Sequence, residues 1–259
     1  MFTYMPLGIK IYIWVMAFFT GAVMGSAMNC LAYRIVHEQK WSGGRSSCPY
    51  CGHTLAAKDL VPVFSFLLLK GKCRYCGAKL AKRYFLSEIF LGLCFMAVVA
   101  FYGFSLDTVS ALVLVSCLFA LSMVDLDTQI IPDRFLIISA LVRLVQLVIE
   151  GRVLSGIIPA LIFGGGMLVL SLVMDKILKK DTMGGGDIKL MAVLGLYFSV
   201  PVCLFLLILA CFIGIIVAKL MMKVKKDVPF PFAPAISLAT MVTMLVGERI
   251  VHWYMHLFW

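Results

Sequence analysis

The chain has 259 residues, 63% of them hydrophobic and only 14% charged, with a mean hydropathy of +1.03. Soluble domains carry roughly 45–50% apolar residues, so a water-soluble globule is excluded. The net charge of +10 comes with no base-reading module, which excludes a nucleic-acid partner.

Crossing hydrocarbon takes about 20 mostly apolar residues, and about 17 at the least. On that ruler the sequence predicts eight spans, near 9–31, 85–103, 108–124, 134–150, 154–175, 187–200, 202–222 and 234–257. The sixth is short and begins inside a polar loop. The first has no small-residue cleavage site after a brief apolar core, so it reads as a retained helix and not a removed signal. Gly21-xxx-Gly25 in the first span and Gly164-Gly165-Gly166 in the fifth read as close helix-packing sites in preference to ligand loops. The run Pro229-Phe230-Pro231-Phe232-Ala233-Pro234 cannot be regular helix, because proline lacks a donor and restricts its predecessor. It is expected to be a rigid lead-in to the last span, or a lid.

Charge placement orients the bundle. Ten of the 23 lysines and arginines fall in 34–83: Arg34, Lys40, Arg45, Lys58, Lys70, Lys72, Arg74, Lys79, Lys82 and Arg83. Arg134, Lys176, Lys179, Lys180, Lys189, Lys219, Lys223, Lys225 and Lys226 lie in or beside loops of the same side. Lys10, Arg143, Arg152 and Arg249 are the only others. Positively charged loops stay in the cytoplasm, so both termini face out. The excess charge reads as this topology plus attraction to an anionic lipid bilayer.

The polar segment 34–84 holds four of the nine cysteines, as Cys48-Pro49-Tyr50-Cys51 and Cys73-Arg74-Tyr75-Cys76, each pair followed by a glycine. Tetrahedral zinc needs four thiolates converging on one point, and a turn after each pair supplies that convergence. A redox pair or unmetallated thiols are the alternatives, although stable disulfides are not expected on the cytoplasmic side. A sealed four-sulfur site leaves no open position for catalysis, so the metal would fold a segment too small for its own core. Cys30, Cys94, Cys117, Cys203 and Cys211 sit in spans and read as small buried hydrophobes. His37 and His53 join no ligand constellation, and His252 and His256 read as interface anchors beside Trp253, Tyr254 and Trp259.

The sharpest signal is a pair of acids at the ends of two spans. Asp125 closes the third, and Asp187 follows Gly184-Gly185-Gly186 at the start of the sixth. A carboxylate at the edge of hydrocarbon is costly and marks a functional site by default. Two acids brought together share one proton, as in aspartic proteases, where one activates water and the other donates to the scissile carbonyl. Paired structural polar groups within a bundle are the plainer reading. Asp127 reads as helix end-capping or loop polarity, Asp133 as a cap for the fourth span, and Lys189 as a partner for a helix dipole or lipid phosphate.

With these motifs the chain resembles the type IV prepilin peptidases, bacterial membrane aspartyl proteases with a GxGD element. Asp125-x(6)-Pro132-Asp133 and Gly184-x-Gly186-Asp187-x-Lys189 match two family elements. Gly21, Gly25, Ser26, Asn29 and Arg34 match a third. Arg45, the two cysteine pairs, Pro62, Ser65, Gly71, Arg83, Tyr84 and Glu88 match the cytoplasmic block. The resemblance implies an all-α polytopic membrane protein of about eight transmembrane helices, with a small cytoplasmic zinc-ribbon-like domain between helices 1 and 2. The expected division is 1–33, first transmembrane helix; 34–84, zinc-binding and methyltransferase-associated domain; 85–259, aspartyl protease bundle. It implies Asp125 and Asp187 as catalytic residues, and Cys48, Cys51, Cys73 and Cys76 as ligands of structural Zn2+. It also implies prepilin or pseudopilin substrates, cut after a glycine on the cytoplasmic side of the bacterial inner membrane.

Members with the cysteine block commonly methylate the new amino terminus with S-adenosyl-L-methionine, and Asn29, Gly71 and Glu88 match positions of that half. No glycine-rich cofactor loop is visible in 34–84, so a peptidase without methyl transfer is the first alternative. A transporter with a zinc-ribbon regulatory domain is the second. It would need polar residues through several spans, whereas spans three, four, five and seven are nearly featureless apart from Arg143. A presenilin-like protease shares GxGD but not the cysteine block.

Overall fold

The structure, a computed structural model, describes residues 5–40, 46–180, 183–222 and 231–258. Arg45, Lys223, Lys225, Lys226, Pro229, Phe230 and Trp259, all named above, lie outside these ranges. Every described regular element is helical, and the chain divides into two compact units, Met1–Thr108 and Val109–Trp259.

In the first unit, α1 (Leu7–Val36) pairs with α3 (Lys82–Tyr102). Glycines set how closely the two approach. A β-carbon on Gly21 would lie 2.7 Å from the carbonyl oxygen of Leu91 and from Cβ of Phe95. One on Gly25 would lie 3.0 Å from the Ser87 oxygen, and one on Gly92 would lie 2.8 Å from the Phe18 ring. Lipid tails are as apolar as the side chains, so helices in a bilayer associate through close backbone packing, which small residues permit. The Gly21-xxx-Gly25 reading is therefore met. Gly21→Val should destabilise the unit by about 1–3 kcal/mol through overpacking. Gly8→Val, which has nothing within 4 Å of its new carbon, is the control in thermal melts of the detergent-solubilised protein.

Between α1 and α3 lie a short 3-10 turn (Ala57–Asp59) and α2 (Phe64–Leu68). Aromatic rings fasten this segment to the helices. Phe64 stacks on Phe19 with centroids 5.8 Å apart, and Phe66 stacks on Phe85 at 4.9 Å.

The second unit contains α4 (Leu106–Thr128, whose first turn belongs to the first unit), α5 (Asp133–Ile149), α6 (Val153–Leu178), α7 (Gly185–Gly195) and α8 (Val200–Met222). A last long helix follows, built from α9 (Ala233–Val242), a π-helical turn (Thr243–Gly247) and α10 (Glu248–Phe258). α4 is the most enclosed span, with 67% of its apolar window buried.

Each of the eight spans expected from the sequence contains a helix. Among the described residues six are long and apolar enough to cross a membrane: α1, α3, α4, α6, α8 and the joined α9–α10. The chain is thus a multi-pass membrane protein. α5 has 17 residues, at the lower limit for spanning. α7 has 11, about 17 Å at 1.5 Å per residue, against about 30 Å of hydrocarbon. The sequence reading ran α7 on to residue 200 because the stretch stays apolar. The helix in fact ends at Gly195 and restarts at Val200, with Pro201 tolerated in the new first turn.

α7 lies tightly against α6. A β-carbon on Gly195 would sit 2.5 Å from the Ala160 α-carbon, and one on Gly164 would sit 2.7 Å from Cβ of Ala192. Gly164 therefore meets its packing expectation. Gly165 and Gly166 do not, since nothing lies within 4 Å of a carbon added at either.

Candidate active site and metal centre

The acid site is assembled from the ends of three helices. α4 stops where Gln129 adopts φ 58° and returns its amide to the Asp125 carbonyl, 2.9 Å away. That termination leaves Asp125 in the last turn, with its residue surface 5% exposed. Its Oδ2 accepts a hydrogen bond of 3.2 Å from the backbone N–H of Ala233, in the first turn of α9. A helix start leaves four N–H groups without intrahelical partners, and Asp125 takes up one of them.

The sequence reading missed this α9 contact. The only available signal was the proline run ending at Pro234, which sits in the first turn of the helix. A hydroxyl pair continues the α4–α9 seam, with Ser122 donating to Ser237 at 2.7 Å.

Asp187 enters on α7. Gly184 is the N-cap, with φ −65° and ψ 133°, and the helix starts at once. Gly186 has a reason of its own: a β-carbon there would lie 2.8 Å from Cβ of Ile131, in the loop after Asp125. Bare backbone at 186 thus seats the start of α7 against the 129–132 loop, and the two acids lie close enough to interact electrostatically. Oδ1 of Asp187 is buried and has no hydrogen-bond partner among the described residues. Such an oxygen, beside a second acid, is available to a water or a substrate group.

The neighbouring charges resolve differently from the sequence reading. Lys189 has a partner within the protein that the sequence reading did not name: its Nζ donates to both carboxylate oxygens of Asp133 at 2.9 Å. Asp133 is not the cap of α5, since Pro132 holds that position. Asp127 is exposed, as expected for a residue two places past a buried one on a helix.

The cysteines form a separate centre in the first unit. The two knuckles repeat each other almost atom for atom. Cys48 N–H donates to the His53 carbonyl at 3.0 Å, and Cys73 N–H donates to that of Ala78 at 2.9 Å. Gly52 at φ 70° and Gly77 at φ 72° turn the chain where a side chain would be strained. The four sulfurs lie within 4.8 Å of one another, and Cys48 and Cys76 are 3.9 Å apart. A zinc–sulfur bond of about 2.3 Å in a tetrahedron requires sulfurs about 3.8 Å apart, so this set could hold a metal ion. Backbone N–H groups of Cys76 and Tyr75 lower the Cys73 thiol to about 7, toward the thiolate a metal needs.

Asp59 anchors the second knuckle to the 3-10 turn. It accepts from Arg74 Nε at 2.6 Å, from the Tyr75 hydroxyl at 3.0 Å and from Ala56 N–H at 3.2 Å. The Arg74 hydrogen bond, foremost among these, holds the carboxyl below its ordinary 3.8. A depressed carboxyl stabilises the fold above its unfolded value and loses that contribution as pH falls through the folded one. Asp59→Asn should therefore speed proteolysis of the knuckles at neutral pH. The gap from the parent protein should close below the lowered value, which a protease-digestion series against pH will read.

Glu88, on α3, is buried and reaches into the same segment. Its Oε2 accepts the N–H of Val63 at 2.8 Å, and Ser26 on α1 also hydrogen-bonds to it. Val63 sits at φ 65°, ψ −54°, with Phe64 N–H bonded to the Pro62 carbonyl at 2.7 Å. That is a γ-turn, rare and strained for a β-branched residue. Asn29 hydrogen-bonds Ser87 beside it. Gly71, at φ 68°, packs on the Phe66 ring, 3.0 Å from where a β-carbon would lie.

The helices of a multi-pass membrane protein thus carry a buried acid within electrostatic reach of a second one, and a separate segment carries a four-thiol cluster. The chain belongs to the type IV leader peptidase family, which it matches over residues 112–219; residues 19–102 match the bacterial peptidase A24 N-terminal domain. It is 31% identical to a prepilin leader peptidase/N-methyltransferase of Bacillus subtilis (strain 168), over 92% of this chain and 96% of that one. A protein of the same name from Stutzerimonas stutzeri is 32% identical, over 81% and 74%, and one from Neisseria gonorrhoeae is 29% identical, over 91% and 92%. No solved structure matches the chain.

Proposed function

We propose that this chain is an aspartic endopeptidase that removes the basic leader of type IV prepilins or pseudopilins and then methylates the exposed amino terminus. The observation that carries the reading is the juxtaposition of Asp125 and Asp187, each at a helix end, with Asp187 Oδ1 buried and unpartnered among the described residues. In this reading one carboxylate takes a proton from water, and the other carboxyl donates to the scissile carbonyl. Water adds to that carbonyl, and the amide bond breaks as its nitrogen is protonated. The positive-inside distribution of charge supports a position for this end of the bundle at the cytoplasmic face of the bacterial inner membrane. A prepilin helix lying in the lipid bilayer would present its junction there.

The division of labour is 34–84 for the zinc and methyl-transfer side, with the first helix at 1–33, and 85–259 for proteolysis. Cys48, Cys51, Cys73 and Cys76 would hold a structural Zn2+. S-adenosyl-L-methionine would supply the methyl group. The chain's own contribution there is to shape the segment: Glu88 fixes the strained turn at Val63, and Gly71 leaves room for Phe66.

Incubating the detergent-purified protein with a prepilin and labelled S-adenosylmethionine tests both activities, by mature size and by label. Glu88→Gln or Gly71→Ala should lower labelling of the mature amino terminus more than leader removal. If the parent protein yields only unmethylated product with saturating donor, the chain is a peptidase alone.

A further inference from the structure

Arg143 is a charged residue well inside α5 that the acid site does not use. It lies ten residues into α5. Asp187 lies in the first turn of α7, which ends at Gly195, so Leu196 lies about 14 Å further along the helix than Asp187, about half the thickness of the hydrocarbon. A helix end leaves four carbonyls without intrahelical partners. In hydrocarbon no water can satisfy them.

Arg143 is placed at that end. Its Nε donates to the Leu196 carbonyl at 3.2 Å. One guanidinium nitrogen donates to Gln146 Oε1 at 2.7 Å, and the group lies over the Tyr197 ring, 5.3 Å from the centroid. Tyr197 donates its hydroxyl to the Ser139 carbonyl of α5 at 2.8 Å. Gly156 of α6 closes the other side, since a β-carbon there would lie 3.2 Å from the Leu196 oxygen. Midway along α7, Lys189 bridges to Asp133, the first residue of α5. α5 and α7 therefore run parallel, and the short helix is fastened to the longer one at its middle and at its C-terminal end.

We infer that Arg143 is a positioning residue that caps α7 inside the membrane and thereby fixes the depth of Asp187 against Asp125. The inference rests on the proposed catalytic role of Asp187. An arginine can lay its apolar stem along a hydrophobic surface while its planar fork supplies several donors at once. An elongated α7 would need no such cap. It would also carry no break to let the chain turn into α8.

The test uses the full chain in lipid nanodiscs, comparing Arg143→Met, Arg143→Lys and Tyr197→Phe with the parent protein. Hydrogen–deuterium exchange should rise in Arg143→Met at 190–199 while α1 and α3 keep their protection. Leader cleavage should fall about tenfold in kcat with KM unchanged, because the acids shift while the substrate surface remains. Arg143→Lys, which keeps one donor for the carbonyl but neither the fork nor the ring contact, should recover part of both effects, and Tyr197→Phe should show a smaller version of them. Exchange rising throughout the chain, no rescue by lysine, or unchanged kcat despite opening at 190–199 each overturns the positioning role. The acid pair fails separately, if Asp187→Asn still cleaves.

Discussion

Asp125→Asn and Asp187→Asn should each remove leader cleavage, by about a thousandfold or more, while the protein still inserts and folds. An amide can neither take the proton from water nor donate as an acid does, so either change leaves the dyad with half its function. Residues that act as a unit are not additive, and losing one member costs nearly as much as losing both. The double variant should therefore be no slower than either single one. Folding should survive because each change is nearly isosteric. Asparagine at 125 can still accept the N–H of Ala233 through its carbonyl oxygen, and Asp187 Oδ1 has no described partner to lose. Cleavage of a purified prepilin, followed by the mobility shift, measures the outcome. Activity within about tenfold of the parent in either variant shows that its acid is not catalytic.

The second large effect concerns the metal. Freshly prepared protein, never exposed to chelator, should contain about one zinc per chain. Loss of Cys48 and Cys51 together, as serines, should remove it. Zinc in small thiolate sites contributes about 10–16 kcal/mol of apparent binding free energy at neutral pH, and that energy is folding energy. The segment from 46 to 80 has no apolar core of its own: α2 is five residues long and none of them is buried. Its stacked rings, its Asp59 anchor and the Glu88 contact would remain, but the two knuckles would lose their common centre. Proteolysis should then cut within this segment while α4 to α8 keep their protection. Cleavage of prepilin should be reduced less than methylation, since the acids lie on other elements. Elemental analysis finding no metal in the parent protein would sink this reading.

Much of this architecture was already written in the chain. Apolar length alone placed the helices, since a bilayer forces backbone groups to bond within each segment and leaves few alternatives to helix. The CxxC spacing foretold two equal turns, and the structure supplies them with glycines at 52 and 77 in the left-handed region. Two acids at span ends stood out because charge is rare there.

The rest depended on contacts between distant residues, which periodicity does not encode. Hydropathy could not stop α7 at Gly195, because the residues beyond it remain apolar; close packing on Ala160 and the Arg143 cap decide that end. Lys189 looked like a dipole partner until α5 placed Asp133 within 2.9 Å of it. Nor could a proline-rich lead-in announce that its helix would offer a backbone N–H to Asp125. The sequence by itself determined which segments are apolar helices and which acids and thiols stand out as candidates for chemistry, because the cost of burying charge and unpaired backbone is local. Only the tertiary structure decided which helix end faces which acid, because that depends on how closely glycine lets two backbones approach.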